Sequence, residues 1–319
     1  MPIPDFTDRP VLVTGGAGFI GSHLVDALVE RGARVRVLDN LATGKAENLA
    51  HHGTGVSLIE ADLRDLDACR TACDGVEVVF HQAALGSVPR SMEDPATSVA
   101  VNVTGTANLF TAARDAGVRR VVYASSSSVY GDSERLPKRE GEEGTPLSPY
   151  AASKAMNEEL ARVFALCFGM EPVGLRYFNV YGPRQDPSGP YAAVIPLFFA
   201  AALAGEAPRV HGDGEQSRDF TYVADAVAAN LLAAGAPPAA TGCAYNVAAG
   251  RRTTVNELAA AVARQVGGEV PPPVHGPERP GDVKHSLADL TAVGDGLGYA
   301  AEVTLEEGLR RSAEYYRSL

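Results

Sequence analysis

The stretch PVLVTGGAGFIGSHLVDALVERGARVRVLD, residues 10–39, decides the fold of this chain. An apolar run at residues 11–13 leads into a glycine-rich loop, after which apolar residues recur at helical spacing as far as Gly32. A second apolar run at residues 35–38 ends in Asp39. This order of strand, loop, helix, strand and acid predicts a β-α-β unit that binds a dinucleotide.

Each part of this unit has a physical role in such binding. Glycines let the backbone turn tightly and approach a pyrophosphate, and the start of the helix offers free N–H groups and a partial positive charge. The carboxylate of Asp39 would accept ribose hydroxyls and repel a 2′-phosphate, which indicates NAD rather than NADP. A glycine-rich turn in some other α/β protein is the alternative, but the acid completes the fingerprint. The cofactor residues predicted here are Gly15, Gly18, Phe19, Ile20, Gly21, Asp39 and Asn40.

The rest of the chain continues the alternation of strands and helices. Strands are predicted at residues 56–60, 76–80, 121–124 and 172–177, and long helices at 95–116 and 149–168. This pattern predicts a Rossmann-type, doubly wound parallel sheet whose ligands bind at the carboxyl ends of the strands. Small residues after the fourth strand, Ala83 and Ala84, would let the cofactor approach closely.

Beyond the sheet the pattern becomes less regular, with prolines and glycines between short helical stretches. We therefore expect an NAD-binding domain at residues 1–182 and a smaller, interleaved α/β substrate lobe at residues 183–319. Segments near residues 220–250 are expected to return to the main sheet.

Composition excludes several classes of function. The chain has 319 residues, of which 45% are hydrophobic and 21% charged, and its formal net charge is −11. This acidity argues against a nucleic-acid partner. The first residues show no signal-peptide pattern, and no apolar run is long enough to cross a bilayer. A cytoplasmic protein without a membrane partner is expected.

Cysteine and histidine spacing predicts no metal site. The four cysteines are scattered, so buried free thiols in a reducing compartment are expected rather than disulfides or metal ligands. His51 and His52 precede a Gly-Thr-Gly turn and are predicted to lie in a solvated loop.

Three residues form a coherent acid/base set. Tyr150 and Lys154 are four residues apart on a predicted helix and therefore share a face, and Ser126 follows the fifth strand. A tyrosine has a pKa near 10, but a neighbouring ammonium and a positive nicotinamide ring both favour the phenolate, so we expect its pKa to be lowered. A helical pair on a solvated face is the alternative, and the glycine fingerprint together with the serines weighs against it.

Six segments carry a closer resemblance to a known family. They are HQAALGSVPRS (81–91), YASSSSVYGD (123–132), LSPYAASK (147–154), GLRYFNVYGPRQDP (174–187), GDGEQSRDFTYV (212–223) and RPGDVKHSLADL (279–290). The chain resembles the UDP-sugar 4-epimerases of the extended short-chain dehydrogenases/reductases, especially those that act on UDP-N-acetylhexosamines. The resemblance implies that Tyr150 takes the proton of the sugar 4-hydroxyl while C4 gives a hydride to NAD. The 4-ketosugar then rotates and receives the hydride on its other face.

The resemblance also implies roles for particular residues. Asp62 and Leu63 would hold the adenine, although an acid just after a strand can also be a helix N-cap. Arg218 and Arg279 would bind the diphosphate, Asp282 a ribose, and Asn179 the substrate. The full implied cofactor set adds Asp62, Leu63, Ala83, Ala84, Asn102, Tyr150, Lys154 and Tyr177. The implied substrate set is Gly86, Ser87, Ser126, Ser127, Tyr150, Asn179, Gln185, Ala193, Val194, Arg218, Arg279, Asp282 and Ser286.

Assembly and substrate choice are also implied by the resemblance. The helices at 95–116 and 149–168 would pair across a two-fold axis as a four-helix bundle, giving a homodimer. Glucose-restricted relatives carry a lysine at the position of Gly86 and a tyrosine at that of Ser286. The small residues here therefore favour UDP-GlcNAc and UDP-GalNAc, with UDP-glucose and UDP-galactose as further substrates.

Several other functions stay open. A UDP-uronic acid 4-epimerase shares the same chemistry. A nucleotide-sugar 4,6-dehydratase would place an Asp-Glu pair in the serine stretch, which has none. A 4-ketoreductase would need NADPH, against Asp39, and an NAD-binding sensor would need no Tyr150, Lys154 and Ser126 together.

Overall fold

A parallel sheet forms the centre of the molecule. The computed structural model describes residues 3–189, 191–278 and 284–319. Within these ranges seven strands pair in parallel in the order β11-β6-β5-β4-β1-β2-β3. Their bounds are β1 Pro10–Thr14, β2 Arg34–Asp39, β3 Val56–Glu60, β4 Val78–His81, β5 Arg120–Ser126, β6 Glu171–Tyr177 and β11 Cys243–Val247. The predicted Rossmann-type sheet is confirmed.

Helices cover both faces of this sheet. Helix α1 (Phe19–Glu30) and helix α8 (Val223–Ala234) pack in one apolar core, and helices α2 (Leu66–Cys73) and α5 (Gly105–Asp115) pack in another. Successive residues of β1 point to opposite faces, so Val11 and Val13 lie in the first core and Leu12 in the second. Burial on both faces explains why the strand reads as a continuous apolar run.

The predicted helix at 95–116 is interrupted. Helix α4 (Pro95–Val99) passes through a π-helical turn, Ala100–Thr104, into α5. Asn102 lies in that turn, and its side-chain oxygen accepts a hydrogen bond from the backbone N–H of Leu85 at 2.8 Å. Single π-helical turns inside α-helices are frequent at functional sites. The wider turn thus lets the Asn102 amide support the segment that follows β4.

The predicted helix at 149–168 is confirmed as α6, Pro149–Phe168. Its start follows from two local signals. Pro149 occupies the first turn, where no backbone N–H is needed, and the Ser148 hydroxyl accepts from the N–H of Ala151 at 3.1 Å. This cap fixes the turn that carries Tyr150. Helix α3, Val88–Glu93, lies between β4 and α4.

The remaining elements form a smaller lobe with its own core. Helices α7 (Val194–Leu203), α9 (Val255–Val266) and α11 (Leu305–Tyr316) pack together there, while α10 (Thr291–Leu297) packs against β11. Short strands pair as β7 with β10, β9 with β12 and β8 with β13. Their bounds are β7 Val180–Tyr181, β8 Arg209–His211, β9 Ser217–Asp219, β10 Thr221–Tyr222, β12 Arg252–Thr254 and β13 Val274–Gly276. The division of the chain at residue 182 stays a prediction, since α8 and β11 both pack with the central sheet.

None of the described helices combines the length with the apolar character that a bilayer span requires.

Candidate active site

A cleft of about 740 Å³ opens at the carboxyl ends of the central strands. It is the place where a doubly wound sheet binds its ligands. Most of the predicted site residues line it. They are Gly15, Gly18, Phe19, Ile20, Gly21, Asp39, Asn40, Asp62, Leu63, Ala83, Ala84, Gly86, Ser126, Ser127, Tyr150, Lys154, Tyr177, Asn179 and Gln185.

The glycine loop forms a cradle with no space for side chains. A Cβ atom at Gly15 would lie 2.6 Å from the backbone nitrogen of Ala83, and one at Gly21 would lie 2.1 Å from the carbonyl oxygen of Gly15. Gly15 also has a φ of 68°, which favours glycine. Helix α1 begins at Phe19, and no side chain of the described residues caps it, so its first N–H groups face the cleft loop uncapped. This cradle fits a pyrophosphate.

Asp39 lines the cleft beside that loop. Its carboxylate accepts from the N–H of Ala17 at 3.0 Å and from the N–H of Leu41 at 2.9 Å. Each carboxylate oxygen has two acceptor positions, so one on each remains for a ribose hydroxyl. The residue is well placed for the NAD ribose that the sequence predicts.

Asp62 lies at the far end of the cleft and is not a helix cap. Asp65 caps α2 instead, accepting from Asp67 and Ala68. The Asp62 carboxylate accepts from the Arg64 guanidinium at 2.7 Å and from the Asn40 amide at 2.8 Å. Hydrogen bonds from Arg64 hold the pKa of Asp62 well below its usual range, against a smaller effect of burial. The acid therefore stays ionised and in a fixed orientation.

The acid/base set comes together on one wall. Lys154 is buried, and its Nζ donates to the carbonyl oxygen of Ala124 at 2.8 Å. Burial lowers the pKa of Lys154 to about 8, and the carboxylate of Glu158 opposes this shift. Tyr150 lies one turn earlier on α6 and shares a hydrogen bond with Ser126. The three side chains thus face the same part of the cleft.

The direction of the Tyr150 pKa differs from the expectation. Burial raises the pKa of Tyr150, and the hydrogen bond with Ser126 only partly opposes this effect. The physical reason is that the phenol is buried, and burial disfavours its charged form. The Lys154 ammonium, on which the expectation relied, donates to the carbonyl oxygen of Ala124 and does not overcome this effect.

Two predicted site residues, Asn102 and Ser87, do not line the cleft. Asn102 is buried behind the residues that line the cleft. Its side-chain oxygen accepts from the N–H of Leu85, and its side-chain nitrogen donates to the Ser153 hydroxyl at 3.1 Å. The Ser87 hydroxyl accepts from the N–H of Arg90 at 3.2 Å and caps α3. Both positions are therefore suited to supporting the segment after β4.

A second cavity of about 260 Å³ adjoins the cleft and shares Asn179, Val180 and Gln185 with it. Ala193, Val194 and Arg218 line this cavity, as the substrate set predicted. The Nη1 atom of Arg218 donates to the carbonyl oxygens of Ser217 at 3.0 Å and Lys284 at 3.2 Å. Arg218 is therefore held at the cavity wall by two segments.

Besides Ser87, three predicted substrate residues are not placed in either cavity. Arg279 and Asp282 lie outside the residues that the structure describes. The N–H of Ser286 donates to the carbonyl oxygen of Ser217 at 3.0 Å, and Ser286 lines neither cavity. It sits beside the strand that carries Arg218.

An ion pair behind the acid/base set was missed by the sequence reasoning. Both carboxylate oxygens of Glu158 accept from the Arg176 guanidinium, at 2.9 and 2.7 Å, and one of them also accepts from the Ser125 hydroxyl. Arg176 is 6% exposed and also pairs with Glu143. The available signal was the spacing of Glu158, one helical turn after Lys154 on α6. Its partner on β6 could be found only once the topology was known.

Comparison with known proteins places these features in a family. The model of the NAD dependent epimerase/dehydratase family matches residues 11–248. The UDP-glucose 4-epimerase of Mycolicibacterium smegmatis is 42% identical over 311 residues, which cover 96% of this chain and 98% of that protein.

Two solved structures are similar over almost their whole length. One is the UDP-N-acetylglucosamine 4-epimerase from Methanobrevibacter ruminantium in complex with UDP-N-acetylmuramic acid, with a TM-score of 0.93 and 41% identity, covering 98% of this chain and 99% of that one. The other is the Thermus thermophilus UDP-glucose 4-epimerase in complex with NAD, with a TM-score of 0.87 and 39% identity, covering 97% and 99%. The chain therefore belongs to the NAD dependent epimerase/dehydratase family and, within it, to the UDP-sugar 4-epimerases of the extended short-chain dehydrogenases/reductases.

Proposed function

We propose that this protein interconverts UDP-GlcNAc with UDP-GalNAc, and also UDP-glucose with UDP-galactose, by reversible 4-epimerisation with NAD held in the cleft. The observation that carries the proposal is the meeting of Tyr150, Ser126 and Lys154 in the same cleft as the glycine cradle. A base and a redox cofactor must act on one sugar carbon together, and this arrangement supports that geometry.

NAD has a consistent set of contacts along the cleft. The glycine loop and the start of α1 would hold its pyrophosphate, the Asp39 carboxylate a ribose, and the Asp62–Leu63 segment the adenine. Lys154 would hold the hydroxyls of the second ribose. When bound, NAD supplies reversible acceptance of a hydride from C4 of the sugar.

The protein's own residues move the proton. The phenolate of Tyr150 would take the proton of the 4-hydroxyl, and the Ser126 hydroxyl would donate a hydrogen bond to the oxygen that loses it. The same Tyr150 proton returns to the oxygen after the sugar has presented its other face, so no net acid or base is consumed. The Lys154 ammonium would favour the phenolate form that Tyr150 needs before it takes the proton.

The UDP part would occupy the second cavity and its surroundings. Arg218 lines that cavity, and guanidinium groups bind phosphate oxygens in a bidentate manner. Arg279 would share the diphosphate and Asp282 would hold a ribose, as the family resemblance implies. Asn179 and Gln185 lie where the two cavities meet, which suits contacts to the sugar.

The preference for acetamido sugars rests on room at Gly86. A Cβ atom built at Gly86 meets no other atom within 4 Å, and the residue lines the cleft. A lysine there would project into open space and narrow the site, whereas a 2-acetamido group needs several extra heavy atoms of volume. Ser286 lines neither cavity, so its part in substrate choice rests on the family resemblance alone.

Purified protein is expected to interconvert UDP-GlcNAc and UDP-GalNAc at least as fast as UDP-glucose and UDP-galactose. Gly86→Lys and Ser286→Tyr should each lose the acetamido pair selectively, because added volume excludes the larger sugar. Chromatography of the products measures both pairs. Gly55→Lys is the control, since Gly55 also has open space around its Cβ position and lies outside the cleft. A wild type that acts only on UDP-uronic acids would contradict the proposed substrate, and inactivity on every UDP-sugar would contradict the function.

We also propose a homodimer formed through α6 and its neighbours. Helix α6 exposes large apolar side chains, with Leu166 71% and Met156 52% exposed, and Met92 on α3 is 62% exposed. A monomer would leave this surface in water. The four cysteines are free thiols, which suits the cytoplasmic location we infer, but only Cys69 and Cys73 are buried as expected, while Cys167 and Cys243 are exposed.

Light scattering at micromolar concentration is expected to give twice the chain mass of 33.3 kDa. Leu166→Glu should shift the protein toward the monomer, because a charge would have to be buried in the interface. Leu319→Glu is a matched control, since Leu319 is 73% exposed but lies at the chain terminus rather than on α6. A wild type that stays monomeric would contradict the bundle.

A further inference from the structure

Asp26, His51 and His52 bring three metal-binding atoms together on the outer side of α1. The Nε2 atom of His51 lies 2.9 Å from Oδ1 of Asp26, and the Nε2 atom of His52 lies 2.8 Å from the same oxygen. In the part of the chain that the structure describes, this is the one group of three such side chains whose ligand atoms all lie within 4.8 Å. None of the three lines the cleft.

The prediction of solvated side chains holds for His51, which is exposed, but not for His52. The two histidines lie in the turn Ala50–Gly55, which packs beside α1, and the His52 side chain is only 10% exposed. Sequence spacing could not reveal this, because Asp26 is distant along the chain and comes from a helix. The metal-ligand set forms only when the loop after β2 folds back on that helix.

The geometry of the two rings favours a shared cation. Both rings direct Nε2 at a single carboxylate oxygen, and their centroids are 4.0 Å apart. Neutral rings can each donate their Nε2–H to this oxygen, and when those protons leave, both nitrogen lone pairs face the carboxylate. A metal ion between the three atoms would replace both protons and accept the nitrogen lone pairs directly.

Arg184 supports this arrangement from the second coordination shell. Its Nη1 atom lies 2.8 Å from Oδ2 of Asp26, on the opposite side of the carboxylate from the histidines. Ligating carboxylates commonly have an outer-shell partner of this kind, which helps to fix their orientation. Oδ1 is thereby left to face the two imidazoles. The positive charge of Arg184 also weakens cation binding, so the affinity should be lower than that of closed structural sites.

We propose that Asp26, His51 and His52 form a site for a divalent transition-metal ion of the Zn²⁺, Co²⁺ and Ni²⁺ class. Two imidazoles and one carboxylate suit these ions and not Mg²⁺ or Ca²⁺, which prefer all-oxygen sets. Zinc–nitrogen bonds of about 2.0 Å in a tetrahedron would need the ligand atoms to separate to about 3.3 Å. His51 is about half exposed and can make that adjustment, and its open side leaves room for a water ligand.

The position of the site suggests what occupancy would do. An ion would fasten the turn that follows β2 to helix α1, which begins at the glycine loop. Arg184, the outer-shell partner, is followed by Gln185, which lines both cavities. We therefore expect the ion to stabilise this corner of the protein and to take no part in the reaction.

Competition against a fluorescent zinc indicator tests the site with the full-length protein. Wild type is expected to bind one Zn²⁺ per chain with a micromolar dissociation constant, and an excess of Mg²⁺ should not displace it. His51→Ala and Asp26→Asn should each weaken binding by about tenfold or more, because the first removes one of three ligands and the second removes the negative charge of another. His275→Ala is the matched control, since this exposed histidine bonds Asn256 outside the cluster.

A second measurement guards against misfolding of the variants. Cobalt substitution should give visible d–d absorption in wild type and in His275→Ala but not in His51→Ala, whose half-exposed side chain contributes little to folding. Zinc binding that is equal in wild type, His51→Ala and Asp26→Asn would overturn the proposal. A wild type that binds no zinc at micromolar zinc concentrations would also overturn it. Neither result would affect the proposed epimerase activity, which is measured separately.

Discussion

Replacing Tyr150 by phenylalanine is expected to lower kcat by about 10²- to 10⁴-fold, the usual contribution of a general acid/base group. The phenyl ring keeps its packing on α6, and only the ionisable oxygen is lost. NAD should remain bound, because the glycine cradle, Asp39 and Lys154 are unchanged. Turnover of UDP-GlcNAc and NAD content after gel filtration would be measured on the same sample.

Tyr315→Phe provides the matched control for this change. Tyr315 lies on α11 and lines neither cavity, so the same loss of one hydroxyl should leave kcat near that of wild type. Unchanged turnover in Tyr150→Phe would remove the residue from the role of base. Loss of NAD together with activity would instead indicate a binding role.

The pH dependence follows from the same assignment. A base must be deprotonated to act, so kcat/KM of the wild type should rise with pH on the acid side of the profile. Burial raises the pKa of Tyr150, while the hydrogen bond with Ser126 lowers it. Ser126→Ala should therefore move the rising limb toward higher pH. A limb that does not move would show that Ser126 does not set the ionisation of Tyr150.

Local sequence patterns were enough to predict the central sheet. Continuous apolar runs such as residues 11–13 are buried on both faces, and this property is visible in the sequence itself. The glycine loop and Asp39 were identified for the same reason, since their spacing follows directly from the geometry of a β-α-β unit. Tyr150 and Lys154 were paired by the helical repeat alone.

Features that depend on contacts distant in sequence were beyond local patterns. The π-turn contains Asn102, whose side-chain oxygen accepts from the N–H of Leu85. The spacing of apolar residues in the sequence does not indicate this contact. The pKa of Tyr150 was expected to fall, but burial raises it, and the burial of this side chain depends on the folded surroundings. The grouping of Asp26 with His51 and His52 likewise needs the folded loop.

Among the residues in and behind the site, we expect the Glu158–Arg176 ion pair to have the largest effect on the free energy of unfolding. Arg176→Met should lower the free energy of unfolding by about 3 kcal/mol, the lower end of the range for breaking a buried ion pair. The lower end applies because Glu158 and Glu143, with side chains 17% and 29% exposed, keep some contact with water after the guanidinium is lost. Urea unfolding of the purified protein would measure the change.

An exposed pair on the same helix gives the control. Arg162 and Glu159 on α6 have side chains 53% and 63% exposed, so Arg162→Met should cost at most about 1 kcal/mol. If the two variants cost the same, burial does not strengthen the Glu158–Arg176 pair. The double variant Arg176→Met, Glu158→Leu should recover part of the loss, because it removes one of the two carboxylates left unpaired beside the methionine, Glu143 being the other.

The same pair should also affect the reaction through Lys154. The Glu158 carboxylate raises the pKa of Lys154 against the effect of burial. Glu158→Gln would remove that charge, so the Lys154 pKa should fall and a larger fraction of the amine should be neutral at a given pH. A neutral amine stabilises the Tyr150 phenolate less, and kcat should therefore fall most at alkaline pH. A uniform loss at every pH would instead show that Glu158 acts only by holding the fold.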